Sequence, residues 1–241
     1  MTPALVLLHG WGAHHRVWDE LAAQLGEDLR VIAPDLPGYG AAPYTIERTV
    51  DQLAAAAPAQ CVVAGWSLGG QLALAWAHRY PQQVSRLILI SATPRFVSTP
   101  DWSHGMAPEV FAEFSAALAH DAAAALRRFL LLQTQGDAQA RTVARQLEAA
   151  LALQARTGAD VLAQTLRWLQ TTDLRTLLPE ITQPTLVLHG DRDRIAPPAA
   201  GAYLAAHLPR ARLALLAGAA HAPFISDPDM TSKLMTDFFN E

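Results

Sequence analysis

The sequence feature that most limits how this chain can fold is a G-x-S-x-G pentapeptide, Gly65 to Gly69. Two β-branched valines precede it, and a helical pattern without proline follows it at 71–78. In a strand-to-helix turn of this kind the serine takes a strained backbone conformation, and the glycines leave room because they have no Cβ. We therefore expect the hydroxyl of Ser67 to lie above the end of a sheet, where a nucleophile would be placed.

The same turn predicts one half of a binding site for a negatively charged oxygen. The backbone N–H of Leu68 lies at the N-terminus of the predicted helix, where free amides and the helix dipole favour an anion. An oxyanion forms when a serine attacks a carbonyl group, and it needs two donors. The turn at 9–12 follows a neighbouring predicted strand, and we expect the amide of Trp11 to be the second donor.

The composition indicates a globular protein and excludes several function classes. Of the 241 residues, 51% are hydrophobic and 17% charged, which is enough for a large buried core. The formal charge of −4 argues against nonspecific nucleic-acid binding, which needs a basic surface. The single cysteine, Cys61, is interpreted as a core residue rather than a reactive thiol. No run of about 18 apolar residues occurs, so we expect a cytoplasmic protein with no membrane contact. We also expect a monomer.

Strand and helix patterns alternate through the first ninety residues, which is typical of a parallel sheet covered by helices. The strands read as continuous apolar runs, as expected when both faces of a sheet are buried. The predicted strands are 4–8, 29–33, a run beginning at Cys61, and 84–90, and the predicted helices are 17–25, 45–57 and 71–78.

The pattern changes after residue 96. Between 97 and 172 we find only helical patterns, at 109–119, 121–135, 137–154 and 159–170. Strands resume at 185–188 and 212–216, and a last helix is predicted at about 229–239. We therefore predict an α/β core made of residues 1–96 and 173–241, with an all-helical lid, residues 97–172, inserted between two strands of one sheet.

A serine alone is a weak nucleophile and needs a base and an acid that orients the base. In α/β hydrolases these follow the serine in the order acid, then histidine. Asp191 and Asp193 come directly after the strand at 185–188, and His221 comes after the strand at 212–216. Loops that follow parallel strands share one edge of the sheet, so Ser67 and these side chains can converge.

Position in the chain selects among the candidates for acid and base. His221 is the histidine that both follows a strand end and comes after the acid, so it is the predicted base. Asp193 is favoured as the acid because its place in the turn lets the carboxylate point toward the histidine. Asp191 remains the alternative, with a role in capping the turn as the other interpretation.

Together these segments resemble the α/β-hydrolase superfamily and, within it, the family of pimeloyl-acyl-carrier-protein methyl ester esterases of biotin synthesis. The resemblance runs over nearly the whole chain. Its more specific parts are the tryptophan before Ser67, the Arg-Phe-Leu and Gln-Thr pieces of 128–134, and the segment 221–226. The matching segments are 7–12, 35–38, 65–70, 128–130, 132–134, 172–175 and 220–226.

The resemblance implies a fold and a set of residue roles. It implies an α/β-hydrolase fold with a mostly parallel sheet of about six strands, flanked by helices and without one or two N-terminal edge strands that family members carry. Ser67 is implied as nucleophile, Asp193 as acid and His221 as base, with Trp11 and Leu68 as oxyanion donors and no metal or cofactor. The implied substrate-binding residues are Trp11, Ser67, Leu68, Phe129, Leu130, Leu131, Leu132, Gln133 and His221.

Arginines on the lid engage the acidic acyl carrier protein in the family that this chain resembles. Arg128, Arg141 and Arg145 lie at the matching positions here. Arg141 and Arg145 are four residues apart and share a helix face. The first lid arginine of the family falls on Ala124, with Arg127 close by, so the resemblance leaves open whether Arg127 replaces it.

The predicted activity is therefore hydrolysis of a methyl ester at the far end of a carrier-bound dicarboxylate chain. A general short-chain carboxylesterase or a carbon–carbon bond hydrolase would use the same three residues on a different substrate. A non-catalytic ligand receptor with this fold is a third possibility, and the intact set of Ser67, Asp193 and His221 argues against it.

Overall fold

A computed structural model of the protein describes residues 4–26, 29–36, 45–153 and 159–241. Six strands form one sheet in the order β2-β1-β3-β4-β5-β6, and every neighbouring pair is parallel. The prediction of a parallel sheet with about six strands is confirmed. The strands are β1 Ala4–Leu8, β2 Arg30–Ile32, β3 Cys61–Trp66, β4 Val84–Ile90, β5 Thr185–Gly190 and β6 Ala211–Leu216.

Helices follow most of the strands and pack on both sides of the sheet. Two 3-10 helices, His15–Trp18 and Arg175–Glu180, accompany the α-helices. In the part of the chain that the structure describes, the α-helices are α1 Asp19–Leu25, α2 Ile46–Ala56, α3 Leu68–Arg79, α4 Pro108–His120, α5 Ala122–Gln133, α6 Ala140–Leu153, α7 Ala159–Thr171, α8 Pro198–His207, α9 Pro223–Ser226 and α10 Pro228–Phe239.

The sheet separates two apolar cores, one on each face. In β1 the side chains of Val6 and Leu8 join one core, whereas Leu5 and Leu7 join the other. This alternation follows from the two-residue period of a strand. Because both cores are covered by helices, every residue of β1 is buried, and the strand reads as an unbroken apolar run in the sequence.

Helix α8 is the main element that the sequence patterns did not predict. Its sequence is rich in alanine and apolar on all sides, so it has no stripe of the kind that marks an amphipathic helix. Gly201 packs directly over the side chain of His189 in β5, where an added Cβ would lie 2.6 Å from Nδ1. The position of this helix therefore follows from its close packing onto the sheet and not from a hydrophobic period in its sequence.

The chain between β4 and β5 carries α4 to α7, and the two ends of this insertion lie side by side. Arg95 and Asp173 form an isolated antiparallel bridge, and Arg95 Nη1 donates to Asp173 Oδ2 over 2.5 Å. The backbone N–H of Leu174 donates to the carbonyl oxygen of Pro94 at 2.9 Å. We propose that residues 97–172 form a lid whose chain leaves and re-enters the core at this point. Gln154, the last residue of one predicted lid helix, lies outside the described residues.

Burial raises the pKa of the Cys61 thiol to about 11, so the thiol is a neutral core group. Among the described residues, no helix has the length and apolar character needed to cross a bilayer.

The ionised carboxylate of Asp173 is expected to stabilise the base of the insertion in a pH-dependent way. Hydrogen bonds from Arg175, and then from Arg95, lower the pKa of Asp173 to about 2. Because the pKa is lower in the folded state, the stabilisation is complete above the unfolded value near 4 and is lost as the pH falls toward 2. We expect Asp173→Asn to reduce the free energy of unfolding by about 1–2 kcal/mol at pH 7.

Urea unfolding of both proteins between pH 7 and pH 3 measures this effect. The difference between Asp173→Asn and the unsubstituted protein should shrink below pH 4. Glu113→Gln removes an exposed carboxylate on α4 and serves as the control. A difference that is the same at pH 7 and pH 3 would show that ionisation of Asp173 is not its source.

Candidate active site

Ser67 lies at the junction of β3 and α3 in a strained conformation. Its φ and ψ are 56° and −115°, in a region that non-glycine residues rarely adopt. A Cβ on Gly65 would overlap the carbonyl oxygen of Gly69, and a Cβ on Gly69 would overlap that of Leu8. Both glycines of the pentapeptide are therefore required for α3 to begin this close to the sheet.

Asp193 and His221 form a buried hydrogen-bonded pair at the same edge of the sheet. His221 Nδ1 lies 2.8 Å from Asp193 Oδ2, and both side chains are almost fully buried. The other carboxylate oxygen, Oδ1, accepts from the backbone N–H groups of Ile195 and Ala196 at 2.8 and 3.0 Å. These contacts fix the carboxylate, which in turn makes Nδ1 the donor and leaves Nε2 as the basic nitrogen.

The electrostatics of the site keep Asp193 ionised. Burial alone raises the pKa of a carboxyl group, but the electrostatic interaction with the His221 imidazole and the hydrogen bonds from His189 and His221 outweigh this effect. The pKa of Asp193 is therefore held well below its usual range. His189 Nε2 lies 3.4 Å from Asp193 Oδ2 and 2.7 Å from the carbonyl oxygen of Ala196.

Trp66, the residue before the serine, connects the turn of Ser67 to the loop of His221. Its Nε1 donates to the carbonyl oxygen of His221 over 2.7 Å, and the two rings lie 5.7 Å apart. His221 Nε2 is buried and has no hydrogen-bond partner among the described residues. The basic nitrogen is thus available beside the turn that carries Ser67. The sequence marked Trp66 as unusual, but its contact with His221 is visible only in three dimensions.

The two predicted oxyanion donors follow adjacent strands. Leu68 is the first residue of α3, so its N–H has no acceptor within the helix. Trp11 follows β1, which pairs with β3 through Leu8 and Gly65. The turn that holds Trp11 is fixed by His9, whose Nε2 accepts from the backbone N–H of Leu36 at 3.0 Å. Burial lowers the pKa of His9 to about 4, so His9 is a neutral structural residue.

Aromatic side chains connect the core to the insertion above the site. The ring of Trp11 lies 5.5 Å from Phe114 and 5.2 Å from Phe129, both in edge-to-face contact. Trp11 Nε1 donates to the carbonyl oxygen of Leu162 in α7 at 3.1 Å. Helices α4, α5 and α7 therefore all meet the core at Trp11.

The five consecutive residues predicted to line an acyl channel point in different directions. Phe129 contacts Trp11. Gln133, one turn later, is buried, and its backbone carbonyl oxygen accepts from the backbone N–H of His221 at 3.2 Å. Leu132 is partly buried against the same core as Phe129, but Leu130 belongs to the opposite core. Leu131 is 63% exposed, so its side chain faces solvent rather than either core. Successive residues of a helix turn by about 100°, so a run of five cannot face one cavity.

The predicted docking arginines are all exposed on the outer side of the insertion. Arg128 lies on α5, whereas Arg141 and Arg145 lie on α6, whose buried side holds Val143 and Leu147. Ala124 and Arg127 are also exposed and are three residues apart, so they share one face of α5.

One cluster of potential metal ligands occurs among the described residues, formed by His14, His15 and Asp35, with ligand atoms within 4.8 Å of one another. Hydrogen bonds already account for its geometry. His14 Nδ1 accepts from the backbone N–H of Arg16 at 3.4 Å, which leaves the proton of His14 on Nε2, facing Asp35. The Asp35 carboxylate also accepts from the backbone N–H of His15 at 3.0 Å.

Comparison with known proteins identifies related sequences and structures. A family described as having the alpha/beta hydrolase fold matches residues 3–228. The pimeloyl-acyl-carrier-protein methyl ester esterase of Aromatoleum aromaticum is 44% identical over 98% of this chain and 97% of its own length. The protein of the same name from Nitrosomonas europaea is 41% identical over 94% and 92%. The crystal structure of an enol-lactonase from Burkholderia xenovorans superposes with a TM-score of 0.84, at 27% identity, covering 100% of this chain and 92% of that one.

The geometry of the acid distinguishes Asp193 from Asp191. Asp191 is exposed, and its Oδ1 accepts from the backbone N–H of Gly218 at 2.7 Å. We expect Asp193→Asn to lower kcat for an activated ester by about 10⁴-fold, because the amide favours the wrong tautomer of the histidine. Asp191→Asn should change kcat by no more than a few-fold. Steady-state kinetics on p-nitrophenyl butyrate measures both, and loss of turnover in Asp191→Asn instead would reverse the assignment.

Proposed function

Because the chain belongs to the α/β-hydrolase fold family, we propose that it is a carboxylic ester hydrolase of biotin synthesis. Its substrate is the methyl ester of a pimeloyl chain carried by an acyl carrier protein, and its products are methanol and the free distal carboxylate. The names of the relatives from Aromatoleum aromaticum and Nitrosomonas europaea support this substrate. The observation that carries the proposal is the buried hydrogen bond of 2.8 Å between His221 and Asp193, beside the strained turn of Ser67.

In the first half of the reaction, Ser67 Oγ attacks the carbonyl carbon of the methyl ester. His221 Nε2 takes the hydroxyl proton, and ionised Asp193 stabilises the resulting imidazolium. The negative charge that develops on the ester oxygen is stabilised by hydrogen bonds from the backbone N–H groups of Trp11 and Leu68, each worth about 2.7–4 kcal/mol. When the intermediate collapses, the proton on Nε2 passes to the leaving oxygen, and methanol departs from the acyl-enzyme.

In the second half, water takes the place of methanol. His221 Nε2 removes a proton from the water as its oxygen attacks the acyl carbon. A second oxyanion forms at the same two amides, and its collapse breaks the bond to Ser67 Oγ. The proton held by His221 returns to the serine, which frees the carboxylate and restores the enzyme.

The methylene chain of the substrate is proposed to lie against the aromatic group formed by Trp11, Phe114 and Phe129. Their rings are 5.2 to 5.5 Å apart and supply an apolar wall beside the Ser67 turn. Gln133 adds one polar group, because its side-chain oxygen has no hydrogen-bond partner among the described residues. Two oxygen acceptors cannot bond to each other, so this oxygen could reach the carbonyl group of the substrate only through a bridging water. The amide nitrogen of Gln133 can donate to that carbonyl oxygen directly.

The acyl carrier protein is proposed to dock on the exposed arginines of α5 and α6. A patch of positive charge on a chain with a formal charge of −4 attracts an acidic partner and orients it. Arg127 lies on the same face of α5 as Ala124, where the related esterases that this chain resembles carry an arginine. The proposed docking surface therefore consists of Arg127, Arg128, Arg141 and Arg145.

Charge reversal on α6 tests the docking surface. We expect Arg141→Glu combined with Arg145→Glu to raise KM for the carrier-linked methyl ester by about 10-fold, since each reversal replaces attraction by repulsion. KM for the free methyl ester should stay the same. The matched control is Arg30→Glu with Arg210→Glu, an equal change of charge at exposed positions near the amino ends of β2 and β6. An unchanged KM for the carrier-linked ester would rule out this surface.

Comparison of carrier-bound with free pimeloyl methyl ester tests the proposed substrate. We expect a higher kcat/KM for the carrier-bound ester, because docking positions the chain. Ser67→Ala should abolish turnover of both and also abolish labelling by a fluorophosphonate. Equal kcat/KM values for the two esters would indicate a general short-chain esterase. Absence of labelling in the unsubstituted protein would indicate a receptor without catalytic function.

A further inference from the structure

We propose that Asp137, in the turn between α5 and α6, is a positioning residue that holds the loop of His221. This inference rests on the proposed function, since it concerns the base of the same reaction. Asp137 is only 8% exposed, although it belongs to the insertion and lies 84 positions before His221 in the chain. The structure brings its carboxylate under the segment that carries the histidine.

Both oxygens of the Asp137 carboxylate accept hydrogen bonds. Oδ2 accepts from the backbone N–H of Ala220, the residue before His221, at 2.7 Å, and from the hydroxyl of Ser226. Oδ1 accepts from the backbone N–H of Gln139 at 2.7 Å, which orients the carboxylate from within its own turn. The carboxylate therefore joins the two ends of the segment from 220 to 226, with His221 between them.

Burial of the Asp137 carboxylate costs free energy, and apolar packing does not offset that cost. No Lys, Arg or His side chain forms an ion pair with Asp137 in the part of the chain that the structure describes. A buried carboxylate without a cation is stabilised only by its hydrogen bonds, which are stronger to a charged acceptor than to a neutral one. The hydrogen bonds to Ala220, Ser226 and Gln139 are therefore the contacts that offset the burial of this carboxylate.

Neighbouring contacts attach the same turn to both catalytic loops. The backbone N–H of His221 donates to the carbonyl oxygen of Gln133, and that of Ala138 donates to the carbonyl oxygen of Gly218 at 2.8 Å. Arg192 Nη1 donates to the carbonyl oxygen of Gly136 at 3.0 Å, beside the loop of Asp193. The segment from 133 to 139 thus forms a support on which the acid and the base are placed together.

Accurate placement of His221 Nε2 affects the chemical step more than substrate binding. Nε2 has to reach the hydroxyl of Ser67, and a displacement of about 1 Å lowers the rate by about 10²-fold. The apolar wall that binds the chain is built from other residues, namely Trp11, Phe114 and Phe129. Loss of the Asp137 support should therefore lower kcat and leave KM nearly unchanged.

The experiment compares Asp137→Ala and Asp137→Asn with the unsubstituted protein. We measure kcat and KM on p-nitrophenyl butyrate, the rate of Ser67 labelling by a fluorophosphonate, and thermal unfolding. We expect Asp137→Ala to lower kcat and the labelling rate by about 10²-fold, with KM within about two-fold. Asp137→Asn keeps one acceptor oxygen and should give an intermediate loss.

Asp121→Ala is the matched control. Asp121 also accepts one backbone N–H on the insertion, that of Ala124 at 3.0 Å, but it is exposed at the start of α5. This variant should label at the rate of the unsubstituted protein. If Asp137→Ala does not fold, Ser226→Ala removes one of the hydrogen bonds and should lower kcat several-fold at constant KM.

Specific results would overturn the inference. Folded Asp137→Ala that labels and turns over at the unsubstituted rate would show that Asp137 does not position His221. A rise in KM with kcat unchanged would show that Asp137 acts on substrate binding. If the unsubstituted protein itself is not labelled, the proposed function fails, and this outcome is distinguishable because the Asp121→Ala control would then also be unlabelled.

Discussion

Parallel pairing of β1, β3, β5 and β6 is the constraint on which the whole site depends. Since every strand runs in the same direction, the loops that follow them open at one edge, although Trp11 and His221 are 210 positions apart in the chain. At that edge the strained Ser67 turn lies between the loop of Trp11 and the loops of Asp193 and His221. An antiparallel strand at any of these positions would send its functional residue to the opposite edge.

The insertion is part of the site and not only a cover over it. Its helices contact Trp11 through Phe114, Phe129 and the carbonyl oxygen of Leu162, on the side of the predicted oxyanion donors. The turn between α5 and α6 contacts the backbone of the histidine loop on the other side. The residues proposed to act on the ester are thus held between the sheet and the insertion, so substrate access and the geometry of the proposed base depend on the same helices.

Most of the fold could be predicted from the sequence, because the buried parallel strands read as unbroken apolar runs and the amphipathic helices show a helical period. Ser67, Asp193 and His221 could be chosen because each follows a strand end. The features that the sequence did not reveal have physical explanations. Helix α8 has apolar residues on every side, so periodicity does not reveal it. Leu131 points to solvent because a contiguous motif in a helix spreads over all its faces. The contacts of Trp66 and Asp137 join residues that are distant in sequence, and no local pattern encodes them.

The antiparallel bridge between Arg95 and Asp173 has a consequence for how such enzymes diversify. Because the insertion leaves and re-enters the core at adjacent positions, its length and helix content can change without altering the register of β4 against β5. A new set of helices grafted at this junction would bring a new pocket and a new outer surface to an unchanged nucleophile. Selectivity for the acyl group can therefore evolve by exchange of one module, provided that the incoming module also supplies a support for the histidine.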